Sequence, residues 1–411
     1  MPSPTWQGIT FGIELEFMTP CPNTKALWRA SAPAAAARLH IAELLARQTS
    51  LPVACKCTHP ESDACCICHG AMKKVMYNDV YIVSPLGVQV APGSQLENNY
   101  FLLTTEFLDS RHPLNVTRNW PGVEISTPIF LSGELRAGLP TVKTVLDTLR
   151  NSADTEITAD ESCGLHVHVG VESGMNVVLA KKIITLVMLL EDTLLLRLVS
   201  PTRLGNDYAR PINQSSAVVL EPWPISQNDE GLNSHVPPAA AIEPGLWNNK
   251  NPQHLHRVLE KLWSAPNLQE LSRLIRKETI SRCALALSLR DHSGKSKWNR
   301  LSGSFENTPT TIEFRYAQMS FDIQFLRNWV EVVARIVELA QAGPAGFKKC
   351  FSKICEIQYK AGKEGKPAWE MLLKSVLNLG HRVPEWQNQF AKYKRGEVFS
   401  HLDNNMLLRP L

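Results

Sequence analysis

Acidic and imidazole side chains recur at alternate positions in four short segments that have the pattern of β-strands. Successive side chains of a strand point to opposite faces, so residues two apart share a face. One face of these segments is apolar, and the other displays Glu14, Glu16, Glu124, His166, His168, Glu313 and Arg315. A half-exposed antiparallel strand also alternates. Its solvent face, however, would be expected to hold lysine, threonine and serine rather than glutamates, paired histidines and flanking glycines.

Convergence of these polar faces would create a strongly acidic concavity. The four negative charges would come from Glu14, Glu16, Glu124 and Glu313. Close like charges in a partly dehydrated site repel strongly unless they are neutralised, and two divalent cations can do this. Carboxylates with one or two imidazoles favour Mg²⁺ or Mn²⁺ over Zn²⁺. Arg315 is then suited to clamp a phosphate, and Gly12 and Gly164 would let a nucleotide or substrate approach the backbone closely.

The elements that must position these residues follow from periodicity. Strands are predicted over residues 10–17, 100–106, 122–129, 165–171, 284–289 and 311–316. Helices are predicted over residues 24–47, with Pro33 marking the true start, and over residues 138–150, 176–199, 254–277 and 321–342. Ser320 is a candidate N-cap of the last helix. Because strands and helices interleave, the pattern favours an α+β or α/β class.

Composition excludes several classes of protein. The 411 residues are 44% hydrophobic and 20% charged, which is typical of a folded globular protein. A net charge of +4, without clusters, argues against binding to nucleic acid or an anionic membrane. The most apolar segment, residues 183–190, is too short to span a membrane, and the N-terminal sequence lacks a signal-peptide pattern. We expect a cytoplasmic protein with mostly reduced cysteines.

Residues 55–70 are dense in cysteine and histidine. A structural zinc site needs four nitrogen or sulfur ligands, and this stretch offers Cys55, Cys57, His59, Cys65, Cys66, Cys68 and His69. The candidate zinc ligands are Cys55, Cys57, Cys65 and Cys68. The spacings CxC and CCxC differ from the common CxxC, so reduced thiols on a loop or a redox pair remain alternatives.

Four motifs give the chain a recognisable resemblance. They are FGIELEF at residues 11–17, PGVEISTPI at 121–129, CGLHVHVG at 163–170 and TIEFR at 311–315. Together, and in this order, they resemble the amidoligase family, part of the carboxylate–amine ligase superfamily that includes glutamine synthetase and glutamate–cysteine ligase. The resemblance spans about residues 8–345.

The resemblance implies a fold and a domain organisation. The expected fold is α+β, with a curved, mainly antiparallel sheet of the glutamine synthetase-like type and helices packed on its outer face. A catalytic domain would occupy residues 1–345, with the cysteine-rich insertion at 55–70 and a long substrate loop at 200–253. A C-terminal helical extension would follow at 346–411.

The resemblance also implies metal ligands. Glu14, Glu313 and His166 would hold the ion beside the transferred phosphate. Glu16 and Glu124 would hold the ion nearer to an amino-acid-like substrate. The expected cofactors are therefore ATP and two Mg²⁺ or Mn²⁺ ions, with Zn²⁺ as a further candidate in the cysteine-rich stretch.

Further roles concern the nucleotide and the substrate. His168 would lie by the nucleotide phosphates, near Gly12, and Arg315 would stabilise the phosphoryl group in flight. Residues directly engaged in catalysis would be Arg315, Glu313 and Glu124. The segment RLGNDY resembles a family loop near the substrate, and its matching residues are Arg203, Asn206 and Tyr208; an ordinary surface loop is the alternative.

Two positions depart from the family pattern. The family commonly has an acidic residue before the GVEI strand, and here Glu106 or the pair Asp109 and Ser110 are the candidates. The strand before TIEFR commonly ends in asparagine, where this chain has Ser288. Both departures concern substrate identity more than phosphate chemistry.

The implied activity is an ATP-dependent ligase that forms an amide through an acyl phosphate. Its partners would be a small-molecule or peptide carboxylate and an amine, and relatives with this sheet often form homo-oligomers. Two alternatives stay open: a metal-dependent amide or peptide hydrolase, because glutamate and histidine clusters also activate water, and a catalytically inactive nucleotide-binding homologue.

Overall fold

The fold is α+β, and the site-bearing strands belong to one mixed, mostly antiparallel sheet. A computed structural model describes residues 1–20, 33–56, 76–77, 80–84, 98–108, 120–153, 155–221, 230–238, 241, 252–277, 282–292, 305–399 and 401–411. The strands within these ranges are β1 (Ile9–Met18), β2 (Val53–Lys56), β3 (Met76–Tyr77), β4 (Val80–Ile82), β5 (Phe101–Glu106), β6 (Gly122–Ser126), β7 (Phe130–Leu131), β8 (Gly164–Val171), β9 (Leu285–Ser288) and β10 (Thr311–Gln318).

The sheet is open, and its order differs from the order of the chain. Neighbouring strands follow the sequence β3-β4-β2-β5-β6-β1-β8-β10-β9, and β7 pairs with β1. The pairs β1–β6, β5–β6, β2–β4, β3–β4 and β9–β10 are antiparallel, whereas β2 and β5 are parallel. The predicted class is therefore confirmed as α+β, and the glutamine synthetase-like type stays a prediction.

The described helices cover most of the predicted ones. They are α1 (Pro33–Gln48), α2 (Ser132–Arg136), α3 (Pro140–Asn151), α4 (Val177–Leu190), α5 (Leu196–Leu198), α6 (Ile212–Ser215), α7 (Ala217–Leu220), α8 (Glu230–His235), α9 (Pro252–Trp263), α10 (Leu268–Leu274), α11 (Ile323–Ala340), α12 (Pro344–Glu364), α13 (Ala368–Ser375) and α14 (Val383–Lys394). Helix α1 is described from Pro33, whose ring suits the first turn of a helix; the residues before it lie outside the described ranges, so Pro33 as the true start stays a prediction.

The chain divides into two compact units. The first unit comprises Met1–Phe11, Val167–Ala317 and Asn328–Val398, and the second comprises Gly12–His166, Gln318–Arg327 and Phe399–Leu411. Neither corresponds to the division expected at residue 345, which stays a prediction.

Helix α4 is the central helix of the first unit. Every residue from Leu179 to Leu190 is buried, and the helix contacts α9, α10 and α12. A helix that is buried all round is expected to be apolar, yet Lys181 and Lys182 occupy two of its positions. Their ammonium groups donate to the carbonyls of Trp263 and Ala342, so each lysine satisfies a carbonyl at or just beyond the C-terminal end of a neighbouring helix.

In the second unit, strand alternation separates an apolar face from a polar one. Ile13, Leu15 and Phe17 on β1 are buried, with at most 1% of their surface exposed, and α1 packs against β2, β5 and β6. Burial of one complete strand face fixes the register, because a slip of one residue would exchange the two faces. The glutamates on the intervening positions are thereby fixed on the opposite face.

Two details of the helices differ from the sequence prediction. The single helix over residues 254–277 is wrong: α9 ends at Trp263, and α10 begins after Asn267, whose side chain accepts from the Glu270 amide at 2.9 Å. Pro266 lies in the break, since proline lacks the amide that a continuous helix needs. Asp322, rather than Ser320, caps α11 by accepting from the Gln324 amide.

Gly122, the first residue of β6, is required by close packing. A β-carbon there would lie 2.9 Å from Leu108 Cγ and closer still to the Glu106 carbonyl oxygen. We expect Gly122→Ala to lower the free energy of unfolding by about 2 kcal/mol, because β5 must shift to admit the methyl group. Urea unfolding would measure this. Gly133→Ala is the matched control, since nothing lies within 4 Å of a β-carbon there; equal destabilisation by both variants would contradict the packing argument.

Candidate functional site

Three glutamates of the second unit form a carboxylate cluster. The register of β1 and β6 places Glu16 directly opposite Glu124, and the register of β5 and β6 places Glu106 opposite Gly122, two residues from Glu124 on the same face. One oxygen of each glutamate lies within 4.8 Å of the others. Thr104, opposite Glu124 on β5, donates to Glu124 Oε1 at 3.1 Å. Like charges on directly opposed residues are destabilising, so this arrangement needs a compensating charge.

Burial and the neighbouring carboxylates both raise the pKa of Glu124. Ser126 Oγ donates to Glu124 Oε1 at 2.9 Å, which favours the ionised form. Dehydration by the surrounding protein nevertheless raises the pKa of the Glu124 carboxyl well above 4.5. The neighbouring carboxylates of Glu14, Glu16 and Glu106 raise this pKa further. The charged side chains with the largest effects on this pKa are acidic.

A histidine bridges the two glutamates of β1. The ring of His166 is 1% exposed, and its Nδ1 lies 3.0 Å from Glu14 Oε2 and 3.3 Å from Glu16 Oε1. The Gly164 amide donates to Glu16 Oε2 at 2.6 Å. Strand β8 thus fixes the orientation of Glu16. The predicted proximity of His166 to Glu14 is observed.

This donor set fits a hard divalent cation. The cluster offers carboxylate oxygens with one adjacent imidazole, and such ligands suit Mg²⁺ or Mn²⁺. A cation among Glu16, Glu106 and Glu124 would offset the charges that raise the pKa of Glu124. The predicted pairing of Glu16 with Glu124 is therefore geometrically sound, whereas the meeting of Glu14 with Glu313 stays a prediction.

Glu313 is the centre of an ion-pair network in the first unit. Its side chain is fully buried, and both of its oxygens accept from Arg282 Nη1, at 2.9 and 3.2 Å. Arg315 also donates to Glu313, and Ser288 Oγ donates to it at 3.0 Å. The carboxylate expected as a metal ligand therefore already has two guanidinium partners.

Two of the predicted nucleotide residues, His168 and Gly12, each lie beside a threonine. His168 Nδ1 lies 3.1 Å from Thr311 Oγ1 on β10. A β-carbon at Gly12 would meet Thr127 Oγ1 at 3.7 Å and the Pro128 carbonyl at 3.9 Å, which are ordinary contacts. Protein packing at those atoms therefore does not require glycine at position 12, and its role in admitting a nucleotide stays a prediction.

The predicted substrate residues lie in short turns of the first unit. Arg203 is 1% exposed, whereas Tyr208 is 53% exposed. Asn206 Oδ1 accepts from the Tyr208 amide at 2.8 Å, which fixes the turn that presents the tyrosine ring. Asp207 pairs with Arg210 in the same turn.

Comparison with known proteins agrees with the motifs. Residues 7–222, slightly more than half of the chain, match the sequence model of a family described as "Putative amidoligase enzyme". The chain belongs to this amidoligase family. Membership supports a ligase. No match was found among curated proteins. The matched residues contain β1, β6 and β8, and therefore the glutamates and histidine around Glu124.

The structure shows which residues complete the carboxylate cluster and the ion-pair network around Glu313. Of the candidates before the GVEI strand, Glu106 joins the carboxylate cluster, whereas Asp109 and Ser110 lie outside the described residues. Ser288, at the position where asparagine is common, donates to Glu313. Sequence reasoning missed Arg282, since it precedes β9 outside any alternating pattern. The available signal was that Arg282 lies just before β9, the strand that pairs with β10, which contains Glu313.

The structure describes some of the cysteines named above and not others. Cys55 is buried in β2, and residues 57–70, including the other candidate zinc ligands Cys57, Cys65 and Cys68, lie outside the described residues. Cys163 is buried, and dehydration raises its thiol pKa well above 9.0, as expected for a packing residue rather than a nucleophile. Zinc binding stays a prediction. No helix in the described part of the chain is long and apolar enough to cross a membrane.

The charge cluster predicts a pH effect on the metal-free amidoligase. Because the folded pKa of Glu124 exceeds 4.5, its stabilising contribution is complete below about pH 4.5 and is lost as the pH rises through the folded pKa. We expect the melting temperature with chelator to fall with rising pH more steeply in the wild type than in Glu124→Gln. Saturating Mg²⁺ should reduce that difference. Identical pH profiles of the two proteins would contradict the electrostatic interpretation.

Proposed function

We propose that this amidoligase uses ATP to join a carboxylate to an amine through an acyl phosphate. The observation that supports this most directly is the carboxylate cluster, in which burial and the neighbouring glutamates raise the pKa of Glu124. Such a site favours divalent cations, which phosphoryl-transfer enzymes require. We further propose that the sheet is of the glutamine synthetase-like type.

Amide formation requires activation, because a carboxylate is a poor acceptor of an amine. Bound divalent cations would supply positive charge that offsets the repulsion between substrate carboxylate and phosphate oxygens. Glu16 and Glu124 would hold one ion from opposing strands, with Glu106 as an additional ligand. The hydrogen bond from Gly164 keeps Glu16 in a fixed orientation, and preorganised ligands lower the cost of positioning the reactants.

The arginines of the first unit are suited to phosphate. Arg282 and Arg315 both pair with Glu313, whose buried carboxylate fixes the direction of the two guanidinium groups. Arginine matches phosphate oxygens through paired donors. We propose that Arg315 stabilises the phosphoryl group in transit and that Glu313 maintains its orientation. The substrates would be small-molecule or peptide carboxylates and amines.

A screen with hydroxylamine as the amine tests the activity. Hydroxylamine captures acyl phosphates as hydroxamates, so it reports activation without knowledge of the natural amine. Purified protein with ATP and Mg²⁺ would be assayed against amino acids, short peptides and small organic acids. We expect ADP release that requires one class of carboxylate, with one hydroxamate formed for each ADP.

Two other outcomes would overturn the proposal. Cleavage of amides by the same protein with metal but without ATP would identify a hydrolase. ATP binding without ADP release under any condition of the screen would identify an inactive homologue. Chelator should abolish ADP release, and Mn²⁺ or Mg²⁺ should restore it, if the carboxylate cluster acts as proposed.

A further inference from the structure

The first unit contains a buried glutamate, Glu191, that belongs to neither the carboxylate cluster nor the ion-pair network around Glu313. Glu191 is fully buried and begins a π-helical segment, Glu191–Leu195, that follows α4. Its Oε1 accepts from the Ile212 amide at 2.8 Å and from Tyr316 Oη at 2.5 Å. Its Oε2 accepts from the Asn213 amide at 2.8 Å. One carboxylate thus joins α6 to β10.

These contacts carry a cost that the fold must offset. Burial of a carboxylate costs free energy. Hydrogen bonds from two amides and one phenol offset part of that cost here. Among the described residues, no lysine or arginine forms an ion pair with Glu191, and the neighbouring Asp192 raises its pKa. A π-helical turn inside a helix also occurs frequently at functional sites.

Residues 201–215 form the segment that Glu191 anchors, through the amides of Ile212 and Asn213, and this segment contains the predicted substrate residues. Two further backbone hydrogen bonds connect it to the strand that bears Arg315: Ala284 N donates to Arg210 O at 2.8 Å, and Arg315 N donates to Ala284 O at 2.7 Å. The turns that present Asn206 and Tyr208 therefore come directly before two attachments, at Arg210 and at Ile212 and Asn213, within the loop that the contact of Glu191 with Ile212 closes.

The segment has little regular structure of its own. It comprises two single-turn 3₁₀ helices, Pro201–Arg203 and Asp207–Ala209, and the four-residue α6. Helices of this length do not persist without tertiary contacts. Its position therefore depends on its attachments, and Asn213 adds one more by donating from Nδ2 to the Met188 carbonyl at 2.8 Å.

We infer that Glu191 is a positioning residue, which fixes residues 203–211 relative to Arg315 and thereby sets the affinity for the carboxylate substrate. The part of this inference that concerns affinity rests on the proposed function. The part that concerns anchoring rests on the hydrogen bonds alone.

Titration of Glu191 provides a specific signature. Dehydration raises its pKa from 4.5 to about 7, while the hydrogen bonds from Tyr316, Asn213 and Ile212 lower it and Asp192 raises it. The nearby Cys283 thiol, whose pKa is raised to about 12, stays protonated at neutral pH. Because the pKa of Glu191 in the folded protein lies above the 4.5 expected for an opened, solvated segment, its contribution to anchoring is complete below about pH 4.5 and is lost as the pH rises through about 7.

Hydrogen exchange of the anchored segment tests the inference. We expect Glu191→Gln to increase amide exchange in a peptide covering residues 203–215 by about tenfold or more, with little change in a peptide within α11. The wild-type protection factor, corrected for intrinsic exchange, should fall as the pH rises from about 4.5 through about 7, and that of Glu191→Gln should not. Glu356→Gln is the matched control, because Glu356 is a glutamate on α12 paired with Lys353 and Lys360 at the surface.

The kinetic measurement uses the carboxylate that gives the most ADP in the hydroxylamine screen. We expect Glu191→Gln to raise its KM by about tenfold while the KM for ATP and kcat change by less than about threefold. Unchanged exchange in Glu191→Gln would overturn the anchoring role, and increased exchange with an unchanged carboxylate KM would overturn the affinity role. Absence of ADP release by the wild type would refute the proposed function instead, and with it the affinity role, while the exchange result still decides the anchoring role.

Discussion

Glu124→Gln is expected to raise the melting temperature of the metal-free protein while lowering ADP production by roughly 10³-fold or more, equivalent to about 4 kcal/mol. The substitution removes one of three clustered carboxylates, the one whose pKa is raised by burial and by repulsion from its acidic neighbours. Stability increases because that repulsion is relieved, and activity decreases because a metal ligand is lost. Such opposite changes are characteristic of sites that are strained for function.

Thermal melts with and without Mg²⁺ would separate these effects. Mg²⁺ should raise the melting temperature of the wild type, since a ligand of the folded state stabilises it, and should raise that of Glu124→Gln much less. Glu43→Gln is the control, because it removes the same charge from α1 in the same unit. Lower stability of metal-free Glu124→Gln, together with full ADP production, would refute the metal assignment.

Glu313→Gln is expected to lose ADP production and, in contrast to Glu124→Gln, also to lose stability. Glu313 is fully buried and receives hydrogen bonds from Arg282, Arg315 and Ser288. Removing its charge takes one carboxylate partner away from both guanidinium groups. Breaking a buried pair in this way costs several kcal/mol. Because Arg282 is 45% exposed, we expect about 2–3 kcal/mol here.

Urea unfolding and ADP release would measure the two effects of Glu313→Gln. Glu385→Gln is the matched control, since Glu385 pairs with Arg382 at 3.0 Å in the same unit and is 24% exposed. The control should lose less stability and retain activity. Wild-type ADP release by Glu313→Gln would remove Glu313 and its ion pairs from the proposed chemistry.

Strand periodicity identified the glutamates around Glu124 because alternation is a local property. Each residue of β1 can be assigned to a face from its neighbours alone, and the burial of Ile13 and Leu15 confirms that assignment. The break between α9 and α10 was missed, although Pro266 and Asn267 were visible, because the apolar spacing continued across it. Periodicity gave the faces of that segment correctly, but not its end points.

Other members of the site were beyond the reach of local patterns. Glu106 was one of several acidic candidates, and only the pairing of β5 with β6 places it beside Glu124. Arg282 is 31 positions from Glu313 along the chain. It lies just before β9, outside any alternating pattern. Glu191 lies within the helix predicted over residues 176–199, and its contacts with Asn213 and Tyr316 are visible only in the folded chain.

The sequence by itself determined the strand faces, the acidic chemistry and membership of a ligase family, because side-chain alternation and short motifs are encoded by adjacent residues. Only the tertiary structure decided which carboxylates are neighbours, which arginines neutralise Glu313 and which carboxylate anchors residues 203–211. Those contacts depend on strand register and on packing between distant segments, where a shift of a single residue would replace every partner.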